Sequence, residues 1–312
     1  MHIDISFPLL PDHFGTFELA YTSSLRKLAS YSSRSFVRPD VFDQNDNWYR
    51  LIEVDGNWAL VKVMKSGVVS WASSGVVQPS KIRHLTERIL IPIILPSVAV
   101  QNLPPLLAKH FIEMSPLVHV ASVTPGEAVI KAIIRQVITA SQARKLLHRF
   151  IVQFGNTCTH EGVTHFSFPP LERLAQLPLD ELTKCGLGFK ARVIQQVARS
   201  LLEDNVEESV SKVPTQVALA ILQKLKGVGQ WTARVALCDF KGDWSLYPFG
   251  DLAVRTWTNR FWPDSDWPCS ENEFRAVWER RNGNYADRIA FYLLTYGNLA
   301  SVDKTYCDIS AV

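Results

Sequence analysis

The chain has 312 residues, of which 47% are hydrophobic and 20% charged, as is typical of a globular protein of one or two domains. Its first residues lack the basic segment and apolar core of a signal peptide. The longest apolar run, residues 89–100, contains two prolines and is too short to cross a bilayer. We therefore expect a cytoplasmic protein without a membrane segment. The formal net charge of +3 identifies no class of partner.

Five cysteines are dispersed along the chain: Cys158, Cys185, Cys238, Cys269 and Cys307. Zinc and iron–sulfur sites need clustered ligands, which this spacing does not supply. The pattern therefore favours reduced thiols and predicts no iron–sulfur cluster.

Three segments carry several lysines or arginines and no acidic residue: 131–149, 184–199 and 224–234. Such segments usually form solvated helix faces. Because two of them adjoin glycine-containing turns, we favour a surface that faces phosphate groups.

Residues 1–115 are predicted to form a mixed α/β domain. Trp48–Val54 and Trp58–Met64 are rich in β-branched and aromatic residues, as strands are. The Asp55-Gly56-Asn57 segment between them is typical of a hairpin turn. The fold therefore begins with antiparallel strands.

Residues 116–312 are predicted to form an all-α domain, so the fold class is α+β. Thr124-Pro125-Gly126-Glu127 has the cap residue, proline and acid that begin a helix. The apolar residues of Ala128–Phe154 then follow helical spacing. Few strand signals occur in this half of the chain.

Two predicted helices, residues 215–225 and 231–240, are joined by Lys226-Gly227-Val228-Gly229-Gln230. Glycine admits backbone angles that side chains forbid and leaves no Cβ to hold a ligand away. The free amides and the dipole of the second helix suit a phosphate, although a plain αα-hairpin is the alternative. The segment Leu225–Ala233 resembles the helix-hairpin-helix motif of DNA repair proteins. Ligases and nucleases share that motif, so it implies only binding to the DNA backbone.

The loop Tyr247-Pro248-Phe249-Gly250-Asp251 follows the hairpin after about twenty residues and precedes another predicted helix. Asp251 stands at the N-cap position, and capping is one explanation for it. The spacing and the loop resemble the glycosylase superfamily in which this hairpin is followed by a catalytic aspartate. Capping and catalysis are compatible, because a helix N-terminus keeps a carboxylate ionised. We favour catalysis by Asp251.

The resemblance covers most of residues 120–300 and is strongest to bacterial 3-methyladenine DNA glycosylase II. Residues 128–137 resemble the opening helix of that family, residues 186–192 its preceding turn, and residues 284–286 the start of its final helix. That family also has an N-terminal α/β domain shaped like one TATA-binding-protein repeat, which suits residues 1 to about 115.

The resemblance implies roles for individual residues. Gln136 would contact DNA, and Val137 would wedge into the gap left by a flipped nucleotide, although Val137 also suits the core. Trp231 would stack on the flipped base in a pocket that includes Tyr285, with ordinary helix packing as the alternative. The DNA backbone would be bound by hairpin residues Lys226, Gly227, Val228, Gly229, Gln230 and Thr232.

Position 231 indicates the type of reaction. Bifunctional relatives such as endonuclease III and the 8-oxoguanine glycosylases carry lysine there, which forms a Schiff base with the sugar. Because tryptophan cannot, the resemblance implies a monofunctional DNA N-glycosylase: water attacks the sugar C1′, and an abasic site is left. Asp251 would stabilise the oxocarbenium charge or orient the water. The alternative is a non-catalytic DNA-binding module, in which a carboxylate near phosphate would only repel.

The expected partner is double-stranded DNA with a damaged base, an alkylated purine by resemblance, bound by a monomer that is nucleoid-associated if bacterial. The family hairpin also holds a monovalent cation, Na⁺ or K⁺, through carbonyls that by position would be those of Gln223, Leu225 and Val228; no other cofactor is implied.

Two positions depart from the family. Val235 stands where an aromatic residue is expected, and a tryptophan is missing near Asn282. Fewer aromatic surfaces weaken recognition of positively charged bases.

Overall fold

The computed structural model describes Leu9 and residues 13–19, 42–44, 47–263 and 266–302. Within these residues the N-terminal region is built on an antiparallel sheet of five strands in the order β1-β5-β4-β3-β2. The strands are β1 (Phe14–Glu18), β2 (Phe42–Gln44), β3 (Asn47–Val54), β4 (Asn57–Met64) and β5 (Val68–Ser73).

The predicted hairpin between β3 and β4 is confirmed. Val54 pairs with Asn57, so the turn is the dipeptide Asp55-Gly56 and Asn57 belongs to β4. Asp55 has φ 53° and Gly56 φ 76°. Two successive residues in the left-handed region form the turn whose twist matches that of the flanking strands.

A second, smaller sheet follows the first along the chain. Helix α1 (Pro79–Ile89) leads into β6 (Leu90–Ile93), and helix α2 (Pro105–Met114) leads into β7 (Leu117–Val120). Strands β6 and β7 pair antiparallel. None of the helices among the described residues is long and apolar enough to cross a membrane.

Beyond β7 the chain is mostly helical, which confirms the α+β class. Thr124 caps the first of these helices as predicted, because its hydroxyl accepts a hydrogen bond from the Glu127 amide at 3.2 Å. The helices are α3 (Pro125–Arg135), α4 (Ala140–Phe154), α5 (Leu171–Gln176), α6 (Leu179–Leu182), α7 (Gly188–Leu202), α8 (Val206–Lys212), α9 (Thr215–Leu222), α10 (Gln230–Lys241), α11 (Leu252–Phe261), α12 (Glu271–Asn282) and α13 (Ala286–Val302).

The prediction that this region is entirely helical is wrong. Strands β8 (Thr157–His160) and β9 (Val163–Phe166) form a hairpin between α4 and α5. Its turn residues Glu161 and Gly162 both have positive φ, 49° and 75°. Glu-Gly is a weaker hairpin signal than Asn-Gly or Asp-Gly, and strands of four residues leave little alternation to detect.

The predicted helical run Ala128–Phe154 is in fact two helices. Helix α3 ends at Arg135, and α4 begins at Ala140 behind a capping box formed by Thr139 and Gln142. Val137, between the two helices, has φ 58° and cannot belong to either.

Buried apolar side chains form several clusters. The first joins α3, α4, α7 and α10, and another lies between the N-terminal sheet and α1. A further cluster packs residues 95–117 against residues 249–300. This last cluster draws on both sides of residue 115, and the division into domains 1–115 and 116–312 stays a prediction.

Buried charges join the N-terminal sheet to α3. Arg50 Nη2 on β3 donates to Glu127 Oε1 at 2.5 Å, and both side chains are almost fully buried. Lys131, one turn further along α3, also contacts Glu127 and donates to Ser122 Oγ at 3.2 Å. One carboxylate thus lies between two buried cations.

We expect Glu127→Gln to lower the free energy of unfolding by roughly 3–5 kcal/mol, because removing one partner leaves buried charge uncompensated. Urea unfolding followed by circular dichroism measures the change. The matched control is Glu208→Gln, which removes an exposed partner of Lys212 and should leave the unfolding midpoint unchanged. A Glu127→Gln variant as stable as the wild type would contradict the assignment.

Candidate functional site

The predicted hairpin is present between α9 and α10. Gly227 has φ 92°, and a Cβ built there would stand 2.5 Å from Val193 Cγ1. Only glycine satisfies both constraints. Val228 is 3% exposed and packs into the first core cluster, whereas Gly227 and Gly229 are exposed. The core therefore fixes the hairpin through Val228 and turns its glycines outward.

Gln136 ties the end of α3 to this hairpin. Its Nε2 donates to Thr232 Oγ1 at 2.7 Å and lies 3.4 Å from the Gly227 carbonyl oxygen. Thr232 is 2% exposed, so its hydroxyl faces inward. Gln136 and Thr232 both stabilise the hairpin, and their contacts with DNA stay predictions.

Val137 lies outside the core. Its side chain is fully exposed, and its φ of 58° is strained for a β-branched residue. Lys190 on α7 holds the turn in place, because its Nζ donates to the Ile134 and Gln136 carbonyls at 2.8 and 2.6 Å. Burial lowers the pKa of Lys190 to about 8. The structure thus rules out the alternative in which Val137 is a core residue.

Three of the lysines that were predicted to face phosphate groups are bound to protein groups instead. Lys131 is 1% exposed and Lys190 4% exposed, and both are bound to protein oxygens. Lys184 pairs with Asp180 and Glu181. The groups that bind each of these three lysines lie outside the basic segment in which that lysine occurs. The absence of acidic residues within each segment therefore does not reveal the pairings.

Trp231 and Asp251 are brought together although twenty residues separate them. Trp231 lies in the first turn of α10, half-buried against the first core cluster. Its indole lies close enough to the Asp251 carboxylate to interact with it, and this interaction offsets part of the rise in the Asp251 pKa that burial causes. The predicted pocket tryptophan and the predicted catalytic acid therefore share one site.

Asp251 occupies the N-cap position of α11, but within the described residues its side chain makes no capping hydrogen bond. Its Oδ2 instead accepts a hydrogen bond from the Tyr247 hydroxyl at 3.0 Å. Burial raises the pKa of the Asp251 carboxyl, whereas hydrogen bonds from Tyr247, the Leu252 amide and Trp231 lower it. The carboxylate is partly desolvated and held by donors, one of which is the first amide of α11 rather than the N2 or N3 amide that a cap side chain binds.

Sequence reasoning gave Tyr247 no role at this site. A tyrosine four residues before an aspartate, across a loop with a proline, follows no periodic rule, so no local signal could have identified it. The ring stacks on Trp244, with centroids 5.1 Å apart and an interplanar angle of 23°.

The other predicted pocket residue, Tyr285, lies at the start of α13. It packs against the cluster that joins residues 95–117 to 249–300, and the Arg288 guanidinium lies 6.0 Å from its ring centroid. Within the described residues no ring contact, ion pair or hydrogen bond joins Tyr285 to Trp231 or Asp251. Its place in a base pocket stays a prediction.

Comparison with known proteins bears on the hairpin and the aspartate together. Residues 130–281 match the family described as HhH-GPD superfamily base excision DNA repair protein. The matched region contains Gln136, the hairpin, Trp231 and Asp251. Residues 130–281 of the chain therefore carry an HhH-GPD superfamily domain.

Individual relatives resemble the HhH-GPD part of the chain. A DNA-3-methyladenine glycosylase of Bacillus subtilis is 27% identical over 130 residues, which are 41% of this chain and 43% of the relative. An N-glycosylase/DNA lyase of Saccharomyces cerevisiae is 28% identical over 110 residues, 34% of this chain and 29% of the relative. The chain thus spans less than half the length of these two curated relatives.

Solved structures resemble the chain over nearly its whole length. A 3-methyladenine DNA glycosylase from Archaeoglobus fulgidus superposes with a TM-score of 0.70 at 22% identity, covering 96% of this chain and 100% of that one. An apo 8-oxoguanine glycosylase/lyase of Clostridium acetobutylicum gives a TM-score of 0.63 at 15% identity, covering 93% and 99%. At these identities the likeness establishes the fold, including the N-terminal sheet.

At Val235 and near Asn282 the chain lacks the aromatic residues that the family resemblance leads one to expect, and the structure gives these positions other roles. Val235 is 5% exposed within the first core cluster, one turn after Trp231. Asn282 is 7% exposed, and its side-chain amide donates to the Trp278 carbonyl at 3.0 Å. Trp278 is completely buried. These residues serve packing, so among the predicted pocket residues Trp231 is the aromatic side chain that interacts with Asp251.

The two hairpin glycines give a matched pair of variants. Gly227→Ala should lower the free energy of unfolding by about 1–3 kcal/mol, because alanine is strained at φ 92° and its methyl group meets Val193. Gly229→Ala should lower the free energy of unfolding by less, because its φ is −78° and no atom lies within 4 Å of its added Cβ, so only the N-cap preference for glycine over alanine is lost. Thermal unfolding of both variants measures the difference, and equal midpoints would contradict this description of the hairpin.

Proposed function

We propose that this protein is a monofunctional DNA N-glycosylase of base excision repair. It would bind duplex DNA, flip out a damaged nucleotide and release the base by hydrolysis of the N-glycosyl bond. The observation that carries the proposal is the Asp251 carboxylate. It is half-buried, accepts a hydrogen bond from Tyr247, lies close to Trp231, and makes no side-chain cap on the helix that it begins.

The DNA-binding face in this proposal consists of the hairpin and the turn after α3. Gly227 and Gly229 are exposed, with the N-terminus of α10 directly behind them, and that arrangement suits a phosphate. Val137 is an exposed apolar side chain in a strained conformation, as a wedge that fills the place of a flipped nucleotide requires. Gln136 links the two features.

Asp251 would act on the sugar. As the glycosidic bond lengthens, positive charge develops on the sugar ring, and a carboxylate in a desolvated site stabilises that charge more strongly than one in water. The same carboxylate can orient the attacking water. Trp231, whose indole cannot form a Schiff base, would stack on the base.

An alkylated purine is the proposed substrate class. Relatives named for 3-methyladenine support it, together with Trp231, whose π-face attracts a positively charged base. With Val235 and Asn282 in packing roles, Trp231 would supply this attraction with little help from the other predicted aromatic positions.

A monovalent cation at the hairpin is also part of the proposal, with the carbonyls of Gln223, Leu225 and Val228 as its ligands. The Leu225 carbonyl accepts a hydrogen bond from the Val228 amide at 3.0 Å and has a second lone pair free for an ion. No backbone hydrogen bond to the other two carbonyls is present outside the helices of the described chain. These oxygens fit a hard cation, which would rigidify the turn.

A DNA-binding module without catalysis is the alternative function. It explains the hairpin equally well but leaves the Asp251 site without a purpose. A desolvated carboxylate beside DNA weakens binding to phosphate, so its presence favours an enzyme.

We expect Asp251→Asn to lower base excision roughly 10²-fold or more while duplex affinity is retained. The measurement uses duplexes with 3-methyladenine, 7-methylguanine, hypoxanthine, ethenoadenine or uracil, followed by alkaline cleavage of abasic sites. Full excision by the variant would refute the role of Asp251. No excision of any base by the wild type would favour the binding module.

Two controls separate binding from chemistry. Gly229→Ala adds a methyl group on the exposed side of the hairpin, so it should weaken duplex binding and leave Asp251 untouched. Borohydride added during the reaction should trap no covalent adduct, because Trp231 offers no amine. A trapped adduct would overturn the monofunctional assignment.

A further inference from the structure

Tyr247 lies where two hydrophobic clusters meet. Its ring packs against the cluster of α3, α4, α7 and α10 and also against the cluster that joins residues 95–117 to 249–300. Trp244 stacks on the same ring, and Phe291 meets Trp244 edge-on with centroids 4.8 Å apart. These contacts fix the ring, so the position of the hydroxyl is set by the core rather than by the loop.

We propose that Tyr247 is a positioning residue for Asp251: its hydroxyl, fixed by the two clusters, donates to Oδ2 and holds the carboxylate in the orientation used for base release. The inference rests on the proposed function. The two residues are four apart in the loop that begins α11, and the hydrogen bond is 3.0 Å long. A carboxylate with a donor at a fixed position keeps one rotamer without a capping bond.

The surroundings keep Tyr247 a donor. Burial raises the pKa of the Tyr247 phenol well above its ordinary value, the Asp251 charge raises it further, and Cys238 adds to this, whereas Arg135 lowers it. The phenol therefore stays protonated, and able to donate, at neutral pH. Among the described residues, Glu271 also acts on Asp251, and its charge raises the pKa of that carboxyl.

Tyr247→Phe removes the donor and keeps the ring. Because the lost hydrogen bond favours the ionised form of Asp251, the pKa of that carboxyl should rise by about half to one pH unit. Carboxyl ¹³C NMR of aspartate-labelled protein measures it, with the Asp251 signal identified by its absence from Asp251→Asn. The matched control is Tyr292→Phe, which removes a hydroxyl bonded to the Ile93 carbonyl at 2.8 Å and should leave the Asp251 titration unchanged.

Excision kinetics give the functional readout. In single-turnover assays Tyr247→Phe should lose about tenfold in rate, with duplex affinity unchanged and the acid limb of the pH–rate profile moved to higher pH. A purely structural role for Tyr247 would instead lower the thermal midpoint and leave both the acid limb and the Asp251 titration in place. That outcome would overturn the proposal.

If the Tyr247→Phe variant does not fold, a second measurement on the wild type tests the same hydrogen bond. In wild-type protein labelled with [¹³Cζ]tyrosine, one tyrosine signal should shift as Asp251 is protonated, and this shift should be absent in Asp251→Asn. Tyrosine signals that never follow Asp251 would refute the hydrogen bond. Because both NMR experiments need no substrate, they decide the role of Tyr247 even if no base is excised, and excision by the wild type decides the proposed function separately.

Discussion

A carboxylate held away from water is the constraint on which the candidate site depends. Asp251 begins α11, yet its side chain does not cap that helix, although such a cap stabilises a protein by roughly 1 kcal/mol. Burial raises its pKa, and donors from Tyr247 and Trp231 offset part of that effect. The local structure thus gives up stability to keep a charged oxygen available, as active sites commonly do.

The rest of the domain orients the elements around this carboxylate. Helix α10 begins directly after the hairpin glycines and carries Trp231, so the glycine turn and the candidate site are joined by one helix. Gln136 attaches the end of α3 to that piece, and Glu127 attaches the start of α3 to the N-terminal sheet through Arg50. Contacts therefore run without a break from the sheet to the exposed turn at Val137.

Local signals in the sequence predicted what local chemistry determines. The Asp55-Gly56 turn and the Thr124 cap depend on neighbouring residues, and both are present. The hairpin was likewise predictable from its glycines, whereas the importance of its spacing to Asp251 was implied by the resemblance to a glycosylase superfamily. What the sequence could not predict are pairings set by the tertiary fold. The sequence predicts that Lys131 faces phosphate groups, but in the structure its ammonium group is buried and bound by Glu127 and Ser122. Tyr247 and Lys190 follow the same rule, whereas the β8–β9 hairpin was missed because its Glu161-Gly162 turn and four-residue strands give only a weak local signal.

Thermal unfolding of the wild type and Asp251→Asn across pH tests the central claim most directly. A carboxyl whose pKa is raised by folding stabilises the protein at low pH, and this contribution is lost as pH rises from the unfolded-state pKa through the folded-state one. We therefore expect Asp251→Asn to unfold at a higher temperature than the wild type at neutral pH. The difference should shrink as the pH falls and the carboxyl becomes neutral. An asparagine variant less stable than the wild type at neutral pH, by an amount independent of pH, would contradict the claim that Asp251 is held ionised at the expense of stability.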